Sequence, residues 1–171
     1  MLRPRTSINR ALTDQSVFSY LGPTEATSGS LQGSDWVPYL FEEANSEFPS
    51  HTACQCYAFG RSMRLFTGAV GLNPPIQYVV DIGSSLVEEG HPLTNYTFEW
   101  SDWDKMQDEC AQSRLDSGSH FSKSVTQTAE SCADVADIVI QAFDDLDKGV
   151  SPSYSIDTTA VGTEFTSRGC N

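Results

Sequence analysis

The sequence predicts an all-α fold: a helical bundle with long loops and at most a short strand pair. Two periodic segments and a set of breakers predict it. Over residues 121–146, Phe121, Val125, Thr128, Cys132, Val135, Val139, Ala142, Phe143 and Leu146 recur at three- and four-residue steps and share one helical face. Over residues 52–68, Ala53, Cys56, Tyr57, Gly60, Met63, Leu65 and Phe66 keep nearly the same spacing. Between and around these stretches, Gly and Pro clusters interrupt the chain.

The remaining elements follow in order. Residues 1–12 suit a helical turn after Pro4, and residues 13–35 read as loop, broken by Gly22-Pro23, Ser28-Gly29-Ser30 and Gly33. Pro49-Ser50 precedes the first periodic helix, with Ser50 as its cap. Residues 71–75 stop that helix, residues 77–82 suit a short strand or extended loop, and residues 83–92 are loop. Ser101 with Asp104 resembles a capping box opening a helix over about 101–112. Gly149 and Pro152 end the long helix, and a polar, extended tail follows over 151–171. There are no internal repeats, so 1–150 reads as one domain.

Composition narrows the function. Hydrophobic residues make up 39% of the 171, enough for one folded core. A net charge of −13 with ten Lys and Arg excludes a nucleic-acid binder, which needs a dense basic face, and disfavours anionic membranes. No run of apolar residues reaches a membrane span, and MLRPRTSINR lacks the apolar core of a signal peptide. A soluble chain is expected, with its compartment open. The five cysteines form no CxxC pair, which disfavours zinc, and Cys54 and Cys56 read as packed thiols. Asn95-Tyr96-Thr97 is a glycosylation sequon of a kind that chance often produces. His91 reads as a loop residue, Trp36, Trp100 and Trp103 as core or subunit-interface aromatics, and Asp144, Asp145 and Asp147 as a solvated helix end.

Three segments carry candidate chemistry: Arg3-Pro4; Glu47-Phe48-Pro49-Ser50-His51; and Ser113-Arg114-Leu115-Asp116-Ser117-Gly118-Ser119-His120-Phe121. Each alone has an ordinary structural explanation. Together they set a histidine at each of two helix starts, with arginines in flanking segments. Helix N-termini attract anions, and arginine meets tetrahedral oxyanions with planar, paired donors. Four or five charge-assisted bonds of roughly 1.5–3 kcal/mol each, less ordering costs, support micromolar binding, about 8 kcal/mol.

In this order the segments resemble the K-x6-R-P, P-S-G-H and S-R-x5-H motifs of the superfamily that joins vanadium haloperoxidases with type 2 phosphatidic acid phosphatases. Leu2 to Arg10 is similar to the W-R-P-x-T-A-I-R stretch of the haloperoxidase-like branch, and Asp35-Trp36-Val37-Pro38-Tyr39-Leu40 to its D-x-x-W-x-P-L-L stretch. Gly83-Ser84-Ser85, Glu89-Gly90 and Trp100 also recur in order, so the resemblance covers residues 1–146.

The resemblance implies the helical bundle of that superfamily and makes residues 1–150 the C-terminal, oxyanion-binding half of a longer domain. It implies a vanadate cofactor whose equatorial oxygens are bound by Arg3, Ser50 and Arg114. His120 is then the vanadium ligand and His51 the acid/base, with both arginines and both histidines catalytic. Its substrates are hydrogen peroxide, halide and an organic acceptor, and homo-oligomers are common among such proteins. The same pocket suits an acid phosphatase with His120 as nucleophile, or a catalytically impaired relative. Three positions depart from the pattern. The lysine due seven residues before Arg3 falls upstream of Met1, the glycine between Ser50 and His51 is missing, and Ser124 stands where an acid often orients the last histidine. His120 is therefore expected to lack an orienting carboxylate.

Overall fold

A computed structural model describes residues 3–21, 27–40 and 46–151. Helix α1 (Pro4–Ala11) leads into strands β1 (Ser16–Tyr20) and β2 (Ser28–Gln32), then a 3-10 turn (Gly33–Asp35). Helix α2 (His51–Thr67) is followed by β3 (Gly71–Val80), β4 (Tyr96–Asp102), α3 (Trp103–Asp116) and α4 (Ser122–Asp147).

Helix α2 is central: α3 and α4 both pack along it, and α3 also touches α4. The core there is built of small residues, Ala53, Cys56, Ala111 and Val125, flanked by Tyr57 and Leu115. Small side chains let the helix axes approach closely. At Gly60 the approach is close, since a Cβ would lie 2.7 Å from Gln107 Cβ on α3. Two disulfides lock the same three helices, Cys54–Cys132 joining α2 to α4 and Cys56–Cys110 joining α2 to α3. This corrects the packed-thiol reading: two residues apart on α2, the two cysteines point about 200° apart and meet different helices, so each finds its own partner. Salt bridges Arg61–Asp137 (2.9 Å) and Arg64–Asp104 (3.0 Å) repeat that connectivity on the half-exposed flank.

The all-α expectation holds only for the bundle. Two antiparallel hairpins stand beside it. β1 pairs with β2 from Ser16↔Gln32 to Tyr20↔Ser28, within a stretch that reads as loop. β3 pairs with β4 from Ile76↔Trp100 to Val80↔Tyr96, with an irregularity between Gly71 and Ile76 where Pro74 and Pro75 cannot donate to a ladder. Both hairpins draw on partners distant in sequence, which a local pattern does not register.

Helix ends also differ in detail. Asp102, not Ser101, caps α3, its carboxylate accepting from Lys105 N at 2.7 Å. That amide holds the Asp102 carboxyl below its ordinary range. The long helix runs as expected, and Val125, Thr128, Cys132 and Ala136 are buried along it. Val135, Val139, Phe143 and Leu146, expected on that same inward face, are exposed. The buried stripe follows the contact with α2 and fades beyond it. Trp103 is buried in the core, whereas Trp36 and Trp100 are half-buried, their indoles donating to Ser19 Oγ and Glu109 Oε2. Gly22-Pro23, Pro152 and the tail lie outside the described residues, and no helix among the described residues is long and apolar enough to cross a membrane.

Candidate oxyanion-binding site

Ser50 starts α2. Its extended backbone and its hydroxyl, which accepts from Ala53 N at 3.4 Å, make it the expected cap. It is fully buried, and its own amide donates 2.9 Å to Thr128 Oγ1 on α4. Among the described residues the Ser50 hydroxyl has no acceptor for its own hydrogen. His51 follows immediately as the first helical residue and is exposed. Without an intervening glycine, His51 sits about 100° around the helix from where one more residue would set it.

Arg114 lies half-buried in the last turn of α3. Its carbonyl accepts from Ser117 Oγ (3.0 Å), Ser119 N (3.2 Å) and His120 N (3.3 Å), which folds residues 117–120 back against it. Its Nε donates to Ser113 Oγ at 3.2 Å, and its two terminal nitrogens make no bond among the described residues. Gly118 makes the turn possible. It adopts φ +72°, and a Cβ there would meet Pro38 and Trp36 at 3.2 Å.

The second and third segments meet at Glu47 and His120. His120 Nδ1 lies 2.8 Å from the Glu47 carbonyl. A carbonyl only accepts, so Nδ1 carries a proton, and in the neutral ring Nε2 is then the nitrogen that keeps a lone pair. The Glu47 carboxylate also accepts from Phe121 N at 3.2 Å, at the start of α4, where Phe121 caps without a side-chain bond of its own. Glu47 is 2% exposed, and its second oxygen, Oε2, has no partner among the described residues. His120 is oriented by a peptide carbonyl and not by a carboxylate. Sequence reasoning missed Glu47. Its one signal was its place four residues before His51 in the motif stretch.

Among the described residues no bond joins Arg3 to Glu47 or His120, and its helix reaches the third segment only through intervening residues. Arg3 is half-buried and caps α1 through its backbone. Asn9 on α1 donates to the carbonyls of Gly33, Ser34 and Trp36 at 2.7, 2.9 and 3.1 Å. The following residues reach the third segment, through Leu40 N to Ser117 O at 3.2 Å and through Trp36 and Pro38 against Gly118. The loop over 83–92 closes on the same side. Glu88 accepts from Tyr20, and that bond, then burial, pushes the Tyr20 hydroxyl up to about 12. Burial, then Glu88, raises Tyr39 as well. His91 stays within that loop, its amide donating to Glu88 O at 3.1 Å.

Comparison with known proteins places this arrangement. The family model described as the VCPO second helical-bundle domain matches residues 1–149, nearly the whole chain. The chain belongs to that family. It thereby falls within the superfamily of vanadium haloperoxidases and type 2 phosphatidic acid phosphatases. The holo-type structure of a bacterial vanadium-dependent chloroperoxidase superposes with a TM-score of 0.73 at 24% identity, over 79% of this chain and 28% of that one. The apo-type structure gives 0.71 at 24% identity, over 81% and 30%. At that identity the likeness is one of fold, and this VCPO second-domain chain spans less than a third of those proteins. No functionally curated protein matches it.

An imidazole and a guanidinium are the kinds of group that suit an oxyanion with a nitrogen ligand. At the junction the imidazole of His120 turns Nδ1 to a carbonyl, and Arg114, in the last turn of α3, has terminal nitrogens that make no bond among the described residues.

Proposed function

We propose that this chain is the oxyanion-binding part of a vanadate-dependent haloperoxidase, an oxidoreductase that oxidises halide with hydrogen peroxide. The observation that carries the reading is the 2.8 Å bond from His120 Nδ1 to the Glu47 carbonyl, which leaves Nε2 as a ligand atom. In this reading His120 is the vanadium ligand. Arg3 and Arg114 would hold the oxyanion's oxygens by paired, permanently charged donors, and Ser50 would add its hydroxyl hydrogen. His51, exposed at the start of α2, exchanges protons between the pocket and water. The cofactor supplies Lewis-acid activation of hydrogen peroxide without changing oxidation state.

The binding site is tested first, then the reaction. Calorimetric titration of the chain with inorganic vanadate or phosphate should give micromolar dissociation constants, about 8 kcal/mol, and His120→Ala should abolish the vanadate signal. Absence of binding by either anion to the folded chain refutes the reading. With vanadate, bromide and peroxide, halogenation of a trapping substrate supports it. Hydrolysis of a chromogenic phosphate ester without halogenation moves it to an acid phosphatase with His120 as nucleophile. Binding without either reaction marks an impaired relative.

A further inference from the structure

Glu47 stands outside the set of residues to which the reading above gives a role, yet it touches two consecutive residues at the start of α4. Its carbonyl meets His120 Nδ1 at 2.8 Å, and its carboxylate Oε1 meets Phe121 N at 3.2 Å. Three residues on, Ser50 N meets Thr128 Oγ1, so residues 47–50 are stitched to the first two turns of α4 from both ends. A carboxyl group this buried is costly to enclose, and one of its oxygens has no partner among the described residues. Such a group persists where its geometry is used.

We propose that the Glu47 side chain is a positioning residue: by holding the α4 start against residue 47, it keeps the Glu47 carbonyl on His120 Nδ1 and so fixes the ring's tautomer. The reasoning is one of leverage. A single bond to a flexible imidazole does not hold a ring, because rotation about its side-chain torsions costs little. A second bond, to the adjacent amide, removes the sliding of backbone against backbone that would separate the pair. The carboxylate also places negative charge at a helix N-terminus, where the dipole favours it. The carbonyl sets which nitrogen is protonated, and the carboxylate holds the carbonyl in place.

The proposal rests on the haloperoxidase reading only for its meaning in ligand binding, so its test begins without a ligand. In protein labelled with nitrogen-15 at histidine, long-range proton–nitrogen spectra distinguish the tautomers of His51, His91 and His120. Wild type should show His120 protonated on Nδ1. Glu47→Gln, which keeps an acceptor at Oε1, should retain that state. Glu47→Ala should shift His120 to a mixture dominated by the Nε2-protonated form while His51 and His91 stay unchanged. Glu47→Leu, which fills the buried space without an acceptor, replaces alanine if that variant fails to fold. Vanadate titration of the same samples should then show at least tenfold weaker binding in the variant that loses the tautomer. An Nε2-protonated His120 in wild type, or an unaltered tautomer in a folded Glu47→Ala or Glu47→Leu protein, overturns the proposal. A tautomer shift with no vanadate binding even in wild type upholds it and removes the haloperoxidase reading instead.

Discussion

The Ser50 amide and the Thr128 hydroxyl, 78 residues apart in sequence, form a 2.9 Å hydrogen bond between two fully buried residues. The hydroxyl spends its own hydrogen on Ser124 O at 2.6 Å, one turn earlier in α4. Both capacities of Thr128 are therefore used, and the start of α2 is registered against α4 by one side chain. Thr128→Val keeps the shape and removes both bonds, leaving a buried amide unpaired. It is expected to cost about 1–3 kcal/mol in urea unfolding. Thr128→Ser keeps the hydroxyl and should lose less, which separates the bond from the packing.

The disulfides predict a redox-dependent stability. Cys54–Cys132 closes a separation of 78 residues and Cys56–Cys110 one of 54, both anchored on α2. Replacing Cys54 and Cys132 by serine should cost about 2–5 kcal/mol, as loss of a long closed loop does. Adding reductant to wild type should lower the urea midpoint, while reductant should do less to the double variant. With four of the five cysteines bridged, alkylation of unreduced, denatured protein should modify one residue, as mass spectrometry would read.

Those two pairings also show what a sequence can and cannot carry. Ser50 as a cap and the apolar rhythm of the first half of α4 were legible, because capping and periodicity are local. The Cys54–Cys132 and Cys56–Cys110 pairs were not, because spacing alone does not say which face of α2 meets which helix. The hairpins failed for a similar reason: Ser16–Tyr20 and Tyr96–Asp102 become strands through partners elsewhere in the chain, and Pro74 and Pro75 made β3 read as a break. Arg114, His120 and Ser50 were named through ordered motifs, which fix identity and order but not contact. Glu47 was in view as a letter of the motif. Its role as an acceptor for a helix start 74 residues later belongs to tertiary structure.

Asp108 predicts a pH-dependent gain. Asp108 is exposed, yet partial desolvation first, then the charges of Asp104 and Asp102, raises its carboxyl above the ordinary 3.8, against the lowering effect of a bond from Tyr57. A raised carboxyl favours folding in its neutral form: that contribution is full below 3.8 and is lost as pH rises through the folded value. Asp108→Asn imitates the neutral form and keeps an acceptor for Tyr57. It should therefore melt at a higher temperature than wild type at pH 7. The difference should vanish at pH 3, where Asp108 is itself protonated. An equal difference at both values would show that packing, not charge, is responsible.

Gly118 makes the last prediction, because it joins the turn that folds His120 back to Arg114 with the segment that leads back to Arg3. Its φ of +72° disfavours a side chain, and a Cβ would press on Pro38 Cα and on the Trp36 ring at 3.2 Å. Neither neighbour has a flexible end to move: one is a proline backbone atom, the other an indole whose nitrogen is held by Ser19. Gly118→Ala should therefore cost about 1–3 kcal/mol of stability, through strain and through pressure on a packed contact. The relief available is to push residues 117–120 away from residues 36–38, which draws His120 N and Ser119 N off the Arg114 carbonyl. Calorimetry at a temperature where the variant is still folded should then show weaker vanadate binding than wild type. Pro38→Ala leaves the glycine's conformation untouched and should leave affinity closer to normal. Equal affinity in wild type and a folded Gly118→Ala would show that this turn does not set the distance between His120 and Arg114.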